Sequence, residues 1–235
     1  MVGEQLSLNT EVTEATWIWQ RYSVAAIRLG YLHLDGAEIY GTEAELGLAI
    51  RESGEKREEL FVTSKVGVSI ADIPRAIDTS SRKLQLSYID LDLQEAGASM
   101  ERVKAAGKAP SIGVSNFLQG HLEAVLETAT IPPFINQTEF HPYLQHDNLL
   151  QFHEHRGITT ASYGTLAPIV RAKGGPLDGL LPHLARNSKE SHLSSYLRAL
   201  TFQLTPREVE EIFTAGQQKR FRAFWQKKFA ASDRS

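Results

Sequence analysis

The chain has 235 residues with 25 Lys+Arg against 28 Asp+Glu, a net charge of −3, and 42% apolar residues, which is material for one globular domain with a sizeable core. There is no cysteine, so disulfides, thiolate catalysis and cysteine-ligated metals are excluded, and the near-neutral charge gives no footprint for nucleic acid or an anionic membrane. No apolar run reaches the roughly 18–20 residues of a membrane span and no leader pattern opens the chain, so a cytoplasmic location is expected.

Short β-rich runs alternate with helical spacing from about residue 14 to about 163, the pattern of repeated βα units around a parallel sheet. Strands are predicted at 31–35, 60–66, 88–93, 111–115, 134–140 and 158–163. Between them, helical spacing is carried by Ile18, Tyr22, Ala25 and Leu29; by Leu46, Ala49 and Ile50; by Ile73, Ala76, Ile77 and Leu84; and by Leu122, Val125, Leu126 and Ala129. A further helix is read over residues 99–108. Thr42 with Glu45 and Thr205 with Glu208 have capping-box spacing, and Pro206 and Gly216 bracket a helix over 206–215.

Residues 167–186 hold Pro168, Gly174, Gly175, Pro176, Gly179 and Pro182, which predicts loop with at most one short helical turn. The whole is read as one domain, residues 1–235, ending in a basic-aromatic tail over 217–235 that contains Phe221, Phe224, Trp225 and Phe229. Two roles are open to that tail. Its rings can cover apolar surface, or they can close over a substrate pocket.

Polar residues collect at the carboxyl ends of the predicted strands, the side on which βα architectures gather reacting groups. Asp35 ends the first run, Tyr40 follows it, and Lys65 ends the second. An ammonium held by a carboxylate beside a phenol favours the phenolate, so the three together could exchange a proton near neutrality. His33 and His141 read as packed, hydrogen-bonded structural residues. His146, His153 and His155 read as solvent-facing around a polar helix, and no metal site is expected.

Five segments in this order resemble the aldo-keto reductase superfamily: GYLHLDGAEIYG at 30–41, LFVTSK at 60–65, IGVSNF at 112–117, NQTEFHPY at 136–143 and ASYGTL at 161–166. The similarity runs in register from about residue 22 to 166 and resumes more weakly at 188–212. It implies an α/β fold of TIM-barrel type, (β/α)8, that binds NADPH in an extended conformation and reduces a carbonyl. By resemblance, Tyr40 is the proton donor and Asp35 and Lys65 tune it. Ser115, Asn116 and Gln137 match the residues that bond the nicotinamide carboxamide, and Tyr163 matches the aromatic stacked on the nicotinamide ring.

The chain departs from the family in three places. The family's catalytic histidine falls on Glu95, at the end of YIDLDLQE (88–95), and the aromatic-proline stretch after it is missing. Either Glu95 acts as a protonated acid on an enone, as in the family's steroid double-bond reductases, or it belongs to a shortened loop, which is the favoured reading. The glycine-rich first strand is not found in residues 1–13, and the eighth is replaced by the breaker-rich stretch, so the barrel is expected to be incomplete. The gap would be closed by the N-terminal segment, by residues 179–187, or by self-association with a second subunit. Near the adenosine phosphate, Arg186, His192 and Tyr196 stand where the family has Lys, Arg and Asn, so only Arg186 is positioned to pair with phosphate and weaker cofactor binding is expected.

The function expected is NADPH-dependent reduction of a carbonyl or conjugated enone on a small apolar substrate. The alternatives are a proton-transfer catalyst without net redox change, such as an isomerase or dehydratase, and an inactive barrel.

Overall fold

Six parallel strands, hydrogen-bonded in chain order, form one curled sheet in a computed structural model that describes residues 14–67, 69–94, 100–184 and 204–229. The strands are β1 (His33–Asp35), β2 (Phe61–Val66), β3 (Leu91–Gln94), β4 (Ser111–Ser115), β5 (Ile135–Glu139) and β6 (Thr159–Tyr163). Each lies within one or two residues of its predicted run except β3, which starts three residues late. Among the described residues neither β1 nor β6 has a second neighbour, so the architecture is the expected incomplete (β/α)8 barrel.

Helices α1 (Glu14–Arg28), α2 (Glu43–Ser53), α3 (Ile73–Leu84), α4 (Met100–Ala105), α5 (Gln119–Thr128) and α6 (Leu149–Arg156) lie in the chain between successive strands or before the first. The reason for the layering is period-2 alternation in the strands. Leu34, Val62, Ile112 and Val114 belong to clusters with residues of these helices: Ile27, Ile50 and Leu84 with the first two, Leu122 and Leu149 with the others. The opposite parity gives His33, Asp35, Lys65, Leu91, Leu93, Ser115, Ile135, Gln137, Glu139 and Tyr163. Leu91, Leu93 and Ile135 pack together and fill the interior. Of its polar members, Asp35, Ser115, Glu139 and Tyr163 end their strands and Lys65 stands one residue before the end of β2, while His33 opens β1 and Gln137 lies midway along β5.

Three local expectations are corrected. Thr42 precedes α2 but makes no side-chain cap; its carbonyl takes the Leu46 N–H at 3.1 Å instead. The breaker-rich stretch contains two helices, α7 (Ala167–Val170) and α8 (Leu177–Leu184). Gly174, Gly175 and Pro176 precede α8, the Gly174 N–H is bonded to Asp178 Oδ2 at 2.7 Å, and Leu177, Leu180 and Leu181 pack on Tyr143, Ile212 and Phe221. Burial of that apolar spacing outweighs the breakers. Residues 179–184 are therefore helix and do not supply a closing strand; 1–13 and 185–203 lie outside the described residues.

The last helix, α9 (Pro206–Gln217), starts with the predicted box: Thr205 Oγ1 accepts from Glu208 N, and Glu208 accepts from Thr205 N at 2.7 Å. It runs through Gly216 rather than stopping there. Glycine is required at that point because a Cβ would lie 2.2 Å from the Pro142 carbonyl oxygen.

The histidines also differ from expectation. His146 and His153 are buried, whereas His155 is exposed. Asn136 links the segment after β4 to α6, donating to Phe117 O at 2.8 Å and meeting His153 Nε2 at 3.1 Å, while His153 Nδ1 meets Thr160 Oγ1 at 2.8 Å. His141 is buried as predicted, but His33 is exposed in the open sheet, bonded to Thr63 Oγ1 at 2.9 Å and edge-on to Phe61.

Candidate active site

A cleft of about 1130 Å³ opens at the carboxyl ends of the strands, lined by Asp35, Tyr40, Lys65, Ser115, Asn116, Gln137, Tyr163, Phe224 and Trp225 among others. Its volume suits a small ligand or a cofactor fragment. Two groups of polar residues face it from opposite margins of the sheet.

The first group stands on β1 and β2. Register partners Asp35 and Thr63 bring the end of β1 beside Lys65, whose ammonium is ion-paired with Asp35, donates to Gly36 O at 3.0 Å and lies 3.4 Å from the Tyr40 hydroxyl. Tyr40 ends a short 3-10 turn (Glu38–Tyr40) and is 54% exposed, so its hydroxyl faces the open cleft. Glu38 secures that turn to the loop after β2, accepting from Ser69 N at 3.1 Å and from the Ser69 hydroxyl. The trio expected from sequence is thus assembled in space.

The second group stands on β4, β5 and β6. Ser115 Oγ donates to Gln137 O at 3.0 Å, and Asn116 Nδ2 donates to Ser115 Oγ at 3.1 Å. Asn116 adopts a left-handed conformation (φ 60°), and its Oδ1 receives the Tyr163 hydroxyl at 2.5 Å. Tyr163 is half-buried, so its ring borders the cleft rather than the core. Gln137 reaches across the curl and donates to Asp35 Oδ2 at 2.9 Å, joining the two groups. Glu95, Arg186, His192 and Tyr196 lie outside the described residues.

Sequence reasoning did not single out Glu139, the last residue of β5. It is fully buried, and its carboxylate accepts from Ala223 N at 2.6 Å, Phe224 N at 3.0 Å and His141 Nε2 at 3.1 Å. Burial alone would raise its pKa; the bonds from His141, Ala223 and Phe224 outweigh that and hold the carboxyl below its ordinary 4.5. The available signal was parity, since Glu139 shares a face with Gln137. Of the two roles left open for the tail, the covering of apolar surface is seen, since Phe221 packs with Tyr143 and Leu177; Phe224 and Trp225 line the cleft, and Phe224 meets Tyr163 edge-on at 5.6 Å.

A parallel βα barrel with a Tyr–Lys–Asp cluster and a set of amide and hydroxyl groups at its carboxyl mouth defines a TIM-barrel-type enzyme. The profile of the Aldo/keto reductase family matches residues 19–174. The chain is 33% identical to the NAD/NADP-dependent indole-3-acetaldehyde reductase of Schizosaccharomyces pombe, covering 85% of this chain and 84% of the relative. It is 39% identical to the glyoxal reductase of Bacillus subtilis over 60% of this chain, spanning only 56% of that enzyme. An aldo/keto reductase of Brucella melitensis superimposes with a TM-score of 0.73 at 26% identity, over 83% of this chain and 89% of that one. The chain belongs to the aldo/keto reductase family.

Proposed function

We propose that the chain reduces a carbonyl or conjugated enone on a small apolar substrate, with NADPH as reductant and Tyr40 as proton donor. The observation that carries this reading is one cleft shared by the Tyr40–Lys65–Asp35 trio and by Ser115, Asn116, Gln137 and Tyr163. The carbonyl chemistry in the names of the relatives supports it.

The residues present fit a nicotinamide. Its carboxamide needs one donor and one or two acceptors, and Ser115, Asn116 and Gln137 offer both kinds within one network. The Tyr163 ring offers an aromatic face. Arg186 is proposed for the adenosine phosphate. When bound, the reduced nicotinamide supplies the hydride.

The chain's own residues then have separate tasks. The Tyr40 hydroxyl donates to the substrate oxygen and gives up its proton as negative charge develops there. The Lys65 ammonium stabilises the phenolate left behind, and Asp35 and Gly36 O hold that ammonium in place. Phe224 and Trp225 give the cleft an apolar wall. Fixing the substrate and the ring in one orientation supplies the remaining advantage.

The test is titration with NADPH, followed by Trp fluorescence, and then turnover of benzaldehyde and a cyclic enone. Tyr40→Phe should bind NADPH as wild type does and lose about 10²–10⁴-fold in kcat. Absence of binding at about millimolar NADPH, or wild-type turnover by Tyr40→Phe, refutes the proposal.

A further inference from the structure

The contact between Glu139 and the tail joins residues 84 and 85 positions apart, and it is made to backbone N–H groups rather than to side chains. A carboxylate bonded to two consecutive amides fixes the register of the segment, because both oxygens are used and a shift of one residue breaks both bonds. Oε1 takes Ala223 N and Oε2 takes Phe224 N. The side chain is fully buried, so no water competes for those oxygens.

The surroundings are shaped for the same contact. Gly164, just after β6, has φ +67°, and a Cβ there would lie 3.1 Å from Phe224 Cε2 and 3.4 Å from Glu139 Cγ. Phe224 is thereby seated between the Gly164 backbone and the Tyr163 ring, with the Arg171 guanidinium 4.5 Å from its ring centre. Trp225 follows in a left-handed conformation (φ 54°), which turns the chain at the cleft; Lys228 N returns to Trp225 O at 2.9 Å. Displacing the bonds at 223 and 224 would move both rings of the wall.

We propose that Glu139 is a positioning residue for substrate binding: its carboxylate locks the register of residues 223–224 and so holds Phe224 and Trp225 as the apolar wall of the cleft that contains Tyr40. The proposal rests on the function given above for that cleft. It assigns Glu139 no contact with the reacting atoms.

The experiment uses the full chain with Trp17→Phe and Trp19→Phe, which leaves Trp225 as the remaining indole of three. In that background Glu139→Gln keeps the side-chain size but removes the charge and one of the two acceptor oxygens. The expected result is a red-shifted Trp225 emission, acrylamide quenching raised about twofold or more, and KM for benzaldehyde raised about tenfold with kcat within about threefold. Adding Phe224→Ala to Glu139→Gln should raise KM little beyond the larger single effect, because both act on one wall. Wild-type quenching and KM in Glu139→Gln, or a loss confined to kcat, overturns the proposal. If Glu139→Gln does not fold, Glu139→Asp, which keeps the charge and loses one methylene of reach, is read in the same way: wild-type quenching and KM overturn the proposal, and a raised KM supports it. A wild-type protein with no carbonyl turnover counts against the function proposed above, while the Trp225 signal still decides for or against the Glu139 anchor.

Discussion

Lys65→Met isolates the charge that the proposed mechanism asks of Lys65. Its ammonium is 3.4 Å from the Tyr40 oxygen. At that separation a unit charge pair is worth about 1.2 kcal/mol in bulk water and about 5 kcal/mol at an effective dielectric of 20. Lys65 is only 12% exposed at its side chain but Tyr40 is 54% exposed, which places the interaction between those limits, at about 2–3 kcal/mol. That corresponds to a fall in kcat of about 30- to 160-fold, since the charge on Tyr40 develops only as the proton leaves. Met keeps the apolar stem, and Asp35 retains the Gln137 N–H at 2.9 Å and some exposure to water, so the fold should survive. The assay is steady-state oxidation of NADPH with benzaldehyde, with cofactor affinity measured separately by fluorescence. A kcat within about threefold of wild type, or a loss explained wholly by KM, would refute the role given to Lys65.

Two further outcomes test the frame of the barrel. Gly216→Ala places a methyl 2.2 Å from the Pro142 carbonyl oxygen, against backbone that cannot turn away, and should destabilise the protein by about 1–3 kcal/mol in urea unfolding. Stability should also fall on mild acidification because of His153, whose pKa burial, and secondarily His146, hold below 6.5. Below 6.5 the unfolded chain binds this proton more readily than the folded one, so stability is full above that pH and declines as pH drops toward the folded value, by at most about 1.4 kcal/mol per pH unit. Urea midpoints between about pH 7 and 5.5 should show the decline, and His153→Gln should flatten it; a midpoint with no slope there would contradict the neutral assignment. Glu139, held below 4.5, contributes stability that starts to be lost only as pH falls below that value.

The strands and the Asp35–Tyr40–Lys65 trio were legible because each is encoded locally. A run such as Phe61–Val66 carries its alternation within six residues, and Lys65 reaches Asp35 through one βα repeat. The rest depends on distant partners. Nothing near Leu177 announces that Tyr143, Ile212 and Phe221 will cover its helix, so the local sequence, with its breakers, reads as loop. His153 sits in a polar segment, but Asn136 and Thr160 come from two strands to meet both ring nitrogens, and a satisfied histidine can be buried. Glu139 could be assigned a face by parity, whereas its partners at 223 and 224 could not be foreseen.

An incomplete barrel can still carry the proposed site if its side chains stand on strands that are present, and eight of the described residues do: Asp35, Tyr40, Lys65, Ser115, Asn116, Gln137, Glu139 and Tyr163 stand on or just after β1, β2, β4, β5 and β6. The open margins, β1 and β6, are the two that flank the cleft. They carry Asp35 on one side and Tyr163 on the other. In a closed eight-strand ring those margins would be separated by two more strands; here the Gln137–Asp35 bond bridges the interior, and the tail anchored on Glu139 brings Phe224 against Tyr163 at the β6 margin. Among the described residues, the tail adds two apolar rings, Phe224 and Trp225, to the lining of this cleft. That tail has a buried charged anchor in Glu139, which is why, under the proposed function, a single substitution at position 139 should change substrate affinity before it changes the rate of the chemical step.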